Sequence, residues 1–179
     1  LFNFFTGPTL DEEFRKLLVA PVTMRERFTD LIRREAAIAD DGGDGRIIAK
    51  VNGLEDPDIV AELYRASMAG VEIDLIVRDI CRLRPGVEGL SDNITVHSVV
   101  GRFLEHSRIY YFGNSGEPEW YIGSADWMTR NLDNRVEAVT PVTDERLRSE
   151  SPSILETILA ANRRRGPLQA DGRSEPAPA

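Results

Sequence analysis

The sequence predicts an α/β domain with a mixed, largely parallel sheet and helices on both faces. Three observations predict it. Short apolar runs alternate with helix-length amphipathic segments through the first half of the chain. Gly, Pro and Asn-Gly or Asp-Gly signals separate them at nearly every junction. Strand-like runs then dominate the second half, before one last helical segment.

The elements follow in order. Lys16-Leu17-Leu18-Val19-Ala20 reads as a short buried strand stopped by Pro21. Thr23 is placed to cap a helix over residues 24–39, whose apolar positions Phe28, Leu31, Ile32 and Ile38 fall near helical spacing. The Asp40-Asp41-Gly42-Gly43 turn ends it. Residues 46–51 form a second strand, and Asp56-Pro57 opens a second helix that closes at Gly70. Residues 71–77 are a third strand. This order implies right-handed crossovers and parallel neighbours. Residues 94–104, 108–112 and 119–123 read as further strands, with Gly113-Asn114-Ser115-Gly116 as the turn between the last two. Another strand is expected over 135–140, a helix over 144–162, and a disordered Pro/Gly/charge-rich tail over 163–179.

Composition narrows the function classes. The chain has 179 residues, 41% of them hydrophobic, which suits one domain with a sizeable core. Lys+Arg 22 against Asp+Glu 30 gives a net charge of -8, which argues against a nucleic-acid binder with a basic face. A local basic pocket for a polyanion remains compatible, because clefts focus their own field. With one cysteine, Cys81, no intrachain disulfide forms; a reducing compartment fits, and Cys81 reads as a structural thiol. No run reaches the roughly 18 apolar residues of a spanning helix. The first residues carry neither an initiator methionine nor a signal-type run, so the chain is expected to continue a longer one.

The two histidines, His97 and His106, focus the search for chemistry. If the backbone stays extended through Gly101 to Tyr110, then Arg102, His106 and Arg108 share one face of the sheet. An imidazole between guanidiniums suits a phosphoryl substrate: the arginines bind oxygens, and the imidazole moves a proton or attacks phosphorus. The alternative of solvated charges on an edge strand stays open, and a bulge at Gly101 would spoil the parity. His97 has the opposite parity and apolar neighbours, and reads as structural. Double displacement through histidine needs one imidazole as nucleophile and another as acid, so the partner of His106 is expected from elsewhere. Arg78 closes the third strand, at the end where open α/β sheets place ligands. Lys50, ending the second strand, is expected to point into the same crevice. Arg82 and Arg84 read as surface charge. Around Gly123-Ser124, small residues would let backbone amides approach a phosphate.

These segments resemble a known family. The stretch from Ala49 to Ile94, followed by VGRFLEHSRIYYF and IGSADWMTRNLDNRVEAVTP, resembles the carboxyl-terminal domain of bacterial polyphosphate kinases over about residues 1–160. The resemblance implies a phospholipase D-like fold, with His106-x-Arg108 and Gly123-Ser124 as degenerate forms of that superfamily's His-x-Lys and Gly-Ser signatures. Arg108 stands where lysine is usual, and no aspartate follows His106 at the expected interval, which argues against diesterase activity. The resemblance also implies ATP and phosphate contacts at Arg78 and His106, with His106 as acid or base, while the phosphorylated histidine lies in a preceding domain. The Asn3-Phe4-Phe5-Thr6-Gly7 opening resembles the end of that domain, so residues 1–13 would be its end or a linker, and residues 14–162 the carboxyl-terminal kinase domain.

The implied reaction is reversible transfer of the terminal phosphate of ATP to polyphosphate, with magnesium. The implied partners are ATP, ADP and polyphosphate, and the full-length enzyme is expected to be a homo-oligomer. The expected location is the cytoplasm, with peripheral attachment to the inner membrane left open. Two rival readings stand beside the kinase half-site: a dimeric phospholipase D-like phosphodiesterase, and a non-catalytic phosphate-binding module.

Overall fold

The computed structural model describes residues 16–98, 106–148, 153, 157, 168–169 and 171–173. Strand β1 (Leu18–Ala20) is buried along its whole length. Helix α1 (Met24–Asp40) buries Met24, Phe28, Leu31 and Ile32, the stripe that its spacing dictates. Thr23 makes no side-chain cap bond, contrary to expectation; its carbonyl accepts from the Arg27 amide instead. The helix stops where Gly42 turns to φ +83°, a left-handed conformation that glycine adopts without strain.

Strand β2 (Arg46–Val51) leads to helix α2 (Pro57–Met68). Asp56 caps α2 by accepting from the Ile59 amide at 3.2 Å, and Pro57 fills its first turn. At the other end Gly70 takes φ +100° and the Val71 amide returns to the Ala66 carbonyl at 3.0 Å. Strands β3 (Glu72–Val77), β4 (Ile94–Ser98), β5 (Ile109–Phe112) and β6 (Glu119–Gly123) follow. A short helix α3 (Thr129–Asp133) precedes strand β7 (Glu137–Pro141).

The sheet has the order β1-β7-β6-β5-β2-β3-β4. It is mixed, as expected, but its parallel share is smaller than expected. Only β2, β3 and β4 run parallel side by side, whereas β2–β5, β5–β6, β6–β7 and β7–β1 pair antiparallel. The reason lies in the connections. The tight turn at Gly113–Gly116 can join only antiparallel neighbours, and β5, β6 and β7 together insert between β1 and β2. Four reversals bring β1 back to the direction of β2, so the first crossover is preserved without adjacency.

Both long helices sit on one face, where α1 and α2 share a single core with Ile47, Ala49, Val51, Ile73, Leu75, Val77, Tyr110 and Phe112. A smaller cluster of Ile76 and Trp120, edged by Ile48, Ile109, Tyr111 and Val142, lies apart from it. The helix expected over 144–162 is described at 145–148, 153 and 157. Within the expected tail, the Leu168 amide donates to the Val96 carbonyl at 2.8 Å, so the chain returns to edge strand β4 there.

Two buried features tie the layers together. The Glu35 carboxylate, fully buried on α1, accepts from the amides of Arg46 at 3.3 Å and Asn114 at 3.0 Å, joining the helix to β2 and to the β5–β6 turn. Phe28, Tyr110 and Trp127 form an aromatic trio with ring centroids 4.6, 5.6 and 5.2 Å apart. The Tyr110 hydroxyl donates to the Ala125 carbonyl at 2.6 Å, fixing the loop after β6; burial holds that hydroxyl far above the usual tyrosine range. Phe28→Ala should therefore cost about 3–5 kcal/mol, read as a lowered denaturant midpoint with the slope unchanged. A loss under about 1 kcal/mol would show that the trio does not carry this part of the core.

Candidate functional site

The site grows from the carboxyl end of β2. Beyond the last paired residues of β2 and β3, the Arg78 amide donates to the Val51 carbonyl at 3.3 Å and the Asp79 amide to the Asn52 carbonyl at 2.8 Å. This is the edge at which parallel strands present ligand-binding groups. Arg78 leaves β3 here, half-buried, and its Nε is buried without a hydrogen-bond partner among the described residues. A guanidinium N–H in that condition favours an acceptor, ideally an anionic oxygen.

On the other side of β2, the chain arrives at β5 through His106, Ser107 and Arg108. Lys50 donates through Nζ to the Ser107 carbonyl at 2.8 Å and is 1% exposed. Its ammonium holds the backbone beside His106 rather than lying open in the crevice. His106 itself is exposed. Its Nδ1 lies 2.8 Å from Nη1 of Arg108, and the same Nη1 donates to the His106 carbonyl at 2.9 Å. The remaining guanidinium edge is gripped by Asp126: Nε donates to Oδ1 at 3.2 Å and Nη2 to Oδ2 at 2.9 Å.

Asp126 is held in turn by Asn52, whose backbone amide donates to Oδ1 at 2.6 Å and whose side chain donates at 3.2 Å. Burial alone would push the Asp126 carboxyl up. The Arg108 hydrogen bonds and charge, with the Asn52 donors, outweigh it and hold the group below the usual carboxylate range. The loop that carries Asp126 is pinned on both flanks. Ala125 is held by Tyr110, and the Trp127 carbonyl accepts from the amides of Glu55 at 2.9 Å and Asp56 at 3.0 Å. Gly123 starts this loop because a Cβ there would meet the Ala138 carbonyl at 2.4 Å.

Of the expected site residues, the fold brings His106 and Arg108 into contact and puts Arg78 and Lys50 at the same end of the sheet. The contact comes from the guanidinium folding back, since residues 106–108 precede β5, and not from strand alternation. Arg102 lies outside the described residues. Ser124 uses its amide on Ala138 at 3.1 Å and its hydroxyl on Glu137, so both donors are engaged within the β6–β7 edge. His97 is buried on β4, separated from β5 by β2 and β3, with Nε2 3.6 Å from Asp74. Arg82 is solvated beside Glu55. Asn52 and Asp126 were not among the expected site residues. Among the described residues no group of three His, Cys, Asp or Glu could hold a metal ion, and no helix is long and apolar enough to cross a membrane.

An exposed imidazole and a half-buried arginine, flanking the end of β2, can bind and work on an anionic oxygen. The chain resembles known proteins along nearly its whole length. The family model described as polyphosphate kinase C-terminal domain 2 matches residues 17–178. The chain is 60% identical to the polyphosphate kinase of Synechocystis sp. over 172 residues, 96% of this chain and 24% of that protein. It is 56% identical to that of Thermosynechococcus vestitus over 181 residues, 99% of this chain and 25% of that protein. It thus spans about a quarter of the length of the relatives it matches. The crystal structure of polyphosphate kinase from Porphyromonas gingivalis superposes with a TM-score of 0.90 at 44% identity, over 98% of this chain and 27% of that one. NucT from Helicobacter pylori superposes at 0.60 with 14% identity, over 80% and 94% of the two chains. Nuc from Salmonella typhimurium, a phospholipase D family member, does so at 0.55 with 13% identity, over 90% and 97%. The last two establish the phospholipase D-like fold.

The depressed Asp126 carboxyl fixes a pH signature. Its stabilisation is fully present above the unfolded value, ~3.9 for an aspartate, and is lost as pH falls through the lower folded value. Asp126→Asn should therefore be less stable than the parent chain at pH ~7, with the gap closing below pH ~4. A gap that stays constant down to the acid limit of folding would contradict the assigned ionisation.

Proposed function

The chain belongs to the polyphosphate kinase C-terminal domain 2 family, and we propose that it works inside a longer polyphosphate kinase as the half-site that holds ATP and the growing polyphosphate. The observation that carries this reading is the pairing of functions at one sheet edge. Arg78 presents a guanidinium whose buried Nε has no hydrogen-bond partner among the described residues, and His106 presents an exposed imidazole steadied by Arg108. Arg78 would bind nucleotide phosphate oxygens. His106 would serve the transferred phosphate, as an imidazole can by moving a proton or by donating a hydrogen bond.

The second histidine, which takes the phosphate covalently, would come from the part of the protein that precedes this domain. In the forward direction that histidine attacks the terminal phosphorus, the bond to the ADP oxygen breaks, and the phosphate then passes to the end of the polymer. His97 does not supply this role: it is buried beside Asp74 on a strand away from Arg108. Magnesium would arrive with the nucleotide. Asp126 already serves Arg108 and Asn52, and among the described residues no group of three His, Cys, Asp or Glu could hold the ion. A homo-oligomeric full-length enzyme, sited in the cytoplasm, is compatible with this reading.

In a full-length parent enzyme, Arg78→Ala should weaken ATP binding by about 1.5–3 kcal/mol, the worth of one charge-assisted contact. His106→Ala should lower turnover by roughly two to four orders of magnitude. His97→Ala, the matched control, should act through thermal stability. Calorimetric ATP affinity that ignores Arg78→Ala, or equal turnover losses for both histidines without a stability change, would refute the assignment.

A further inference from the structure

The line of contacts behind His106 determines what that imidazole can do. A guanidinium carries five N–H donors and no acceptor. Nη1 of Arg108 lies 2.8 Å from Nδ1 of His106, so Nδ1 must supply the lone pair, and the ring proton sits on Nε2. Arg108 cannot relax this arrangement by rotating. Its Nε and Nη2 are bound side-on to both oxygens of Asp126, and its Nη1 is also fastened to the His106 carbonyl. Asp126 is fixed by two Asn52 donors and by a loop anchored on Tyr110, Glu55 and Asp56. The side chains of Arg108 and Asp126 are 10% and 5% exposed, so water competes little for either.

We propose that Asp126 is a positioning residue: by gripping Arg108 it holds the guanidinium on Nδ1 of His106 and makes the Nε2–H group, a hydrogen-bond donor, the working atom of the imidazole. The inference rests on the phosphate-side role given to His106 above, and it replaces the expected acid-or-base role with a narrower one. With Nδ1 engaged by a donor and Nε2 already protonated, the ring neither accepts a proton from substrate nor attacks phosphorus. It donates to a phosphate oxygen and stabilises the charge that gathers there during transfer, as preorganised donors do. No covalent bond to His106 forms or breaks. Asn52 extends the same support, since its backbone amide leaves the end of β2 for the Asp126 carboxylate. The tautomer of an imidazole is set in this way by the partner of its other nitrogen.

The test reads the tautomer directly. The chain contains only His97 and His106, so ¹⁵N-labelled protein in mildly alkaline buffer gives two imidazoles, assigned by a His97→Gln variant. His106 should show a protonated Nε2 and an unprotonated Nδ1. Arg108→Gln and Asp126→Asn should each convert it to a mixture of both tautomers. If either single variant loses its dispersed spectrum, the double variant Arg108→Gln/Asp126→Asn, which removes both buried charges together, answers the same question. A protonated Nδ1 in the parent chain, or a tautomer unmoved by the folded variants, overturns the proposal.

A kinetic arm in the full-length enzyme separates the proposal from the functional reading beneath it. His106→Gln keeps a neutral N–H close to the position of Nε2, so it should retain at least about tenfold more turnover than His106→Ala, the span of a single donor. Equal losses for Gln and Ala would overturn the donor role while leaving the kinase reading intact. Unchanged turnover in His106→Ala would instead remove the functional reading, and the donor role with it.

Discussion

The buried carboxylate of Asp126 is the constraint around which the functional end of the molecule is arranged. An ionised carboxylate removed from water costs several kcal/mol unless charge and hydrogen bonds replace its solvation. Here the replacement comes from separate parts of the chain: the end of β2 through Asn52 and the approach to β5 through Arg108. Each must be in place for the others to be stable. The geometry at His106 is thus a consequence of satisfying one buried charge, and the exposed imidazole inherits the order of the core beneath it.

That order is transmitted by packing. Trp127 and Ala125 flank Asp126, and both are fully buried, one in the aromatic trio and the other under the Tyr110 hydroxyl. Helix α1 supplies Phe28 to the trio from below and Glu35 to the opposite end of β2. A single helix therefore braces both ends of the strand whose carboxyl end carries the site. Arg78 stands apart from this network. Its backbone is fixed by β2, and its Nε has no hydrogen-bond partner among the described residues, which leaves it open to an acceptor.

Much of the fold was legible in the sequence. Apolar runs located the strands among the described residues, Asp56-Pro57 located a helix start, and Gly42 and Gly70 located two helix ends. The sheet's antiparallel majority was less legible, because strand order depends on where a hairpin inserts and local pattern records only that it exists. Arg78 and His106 were singled out by a strand end and by the scarcity of histidine. The roles of Lys50, Ser124 and Arg108 read differently in the fold, since a charged or hydroxyl side chain has the same local signature whether it meets a ligand or a neighbouring strand. Asp126 gave a signal that could have been used: an acid between Ala125 and Trp127, two residues of burying type, demands a cationic partner.

The half-site character of this domain is tested most directly by assaying the chain alone for ATP-dependent polyphosphate synthesis while its ATP binding is followed by calorimetry. The chain should bind nucleotide and synthesise nothing, with synthesis returning when the upstream region of the kinase is supplied. Sustained synthesis by the chain alone, in a preparation free of other kinases, would contradict the need for a second histidine from outside it.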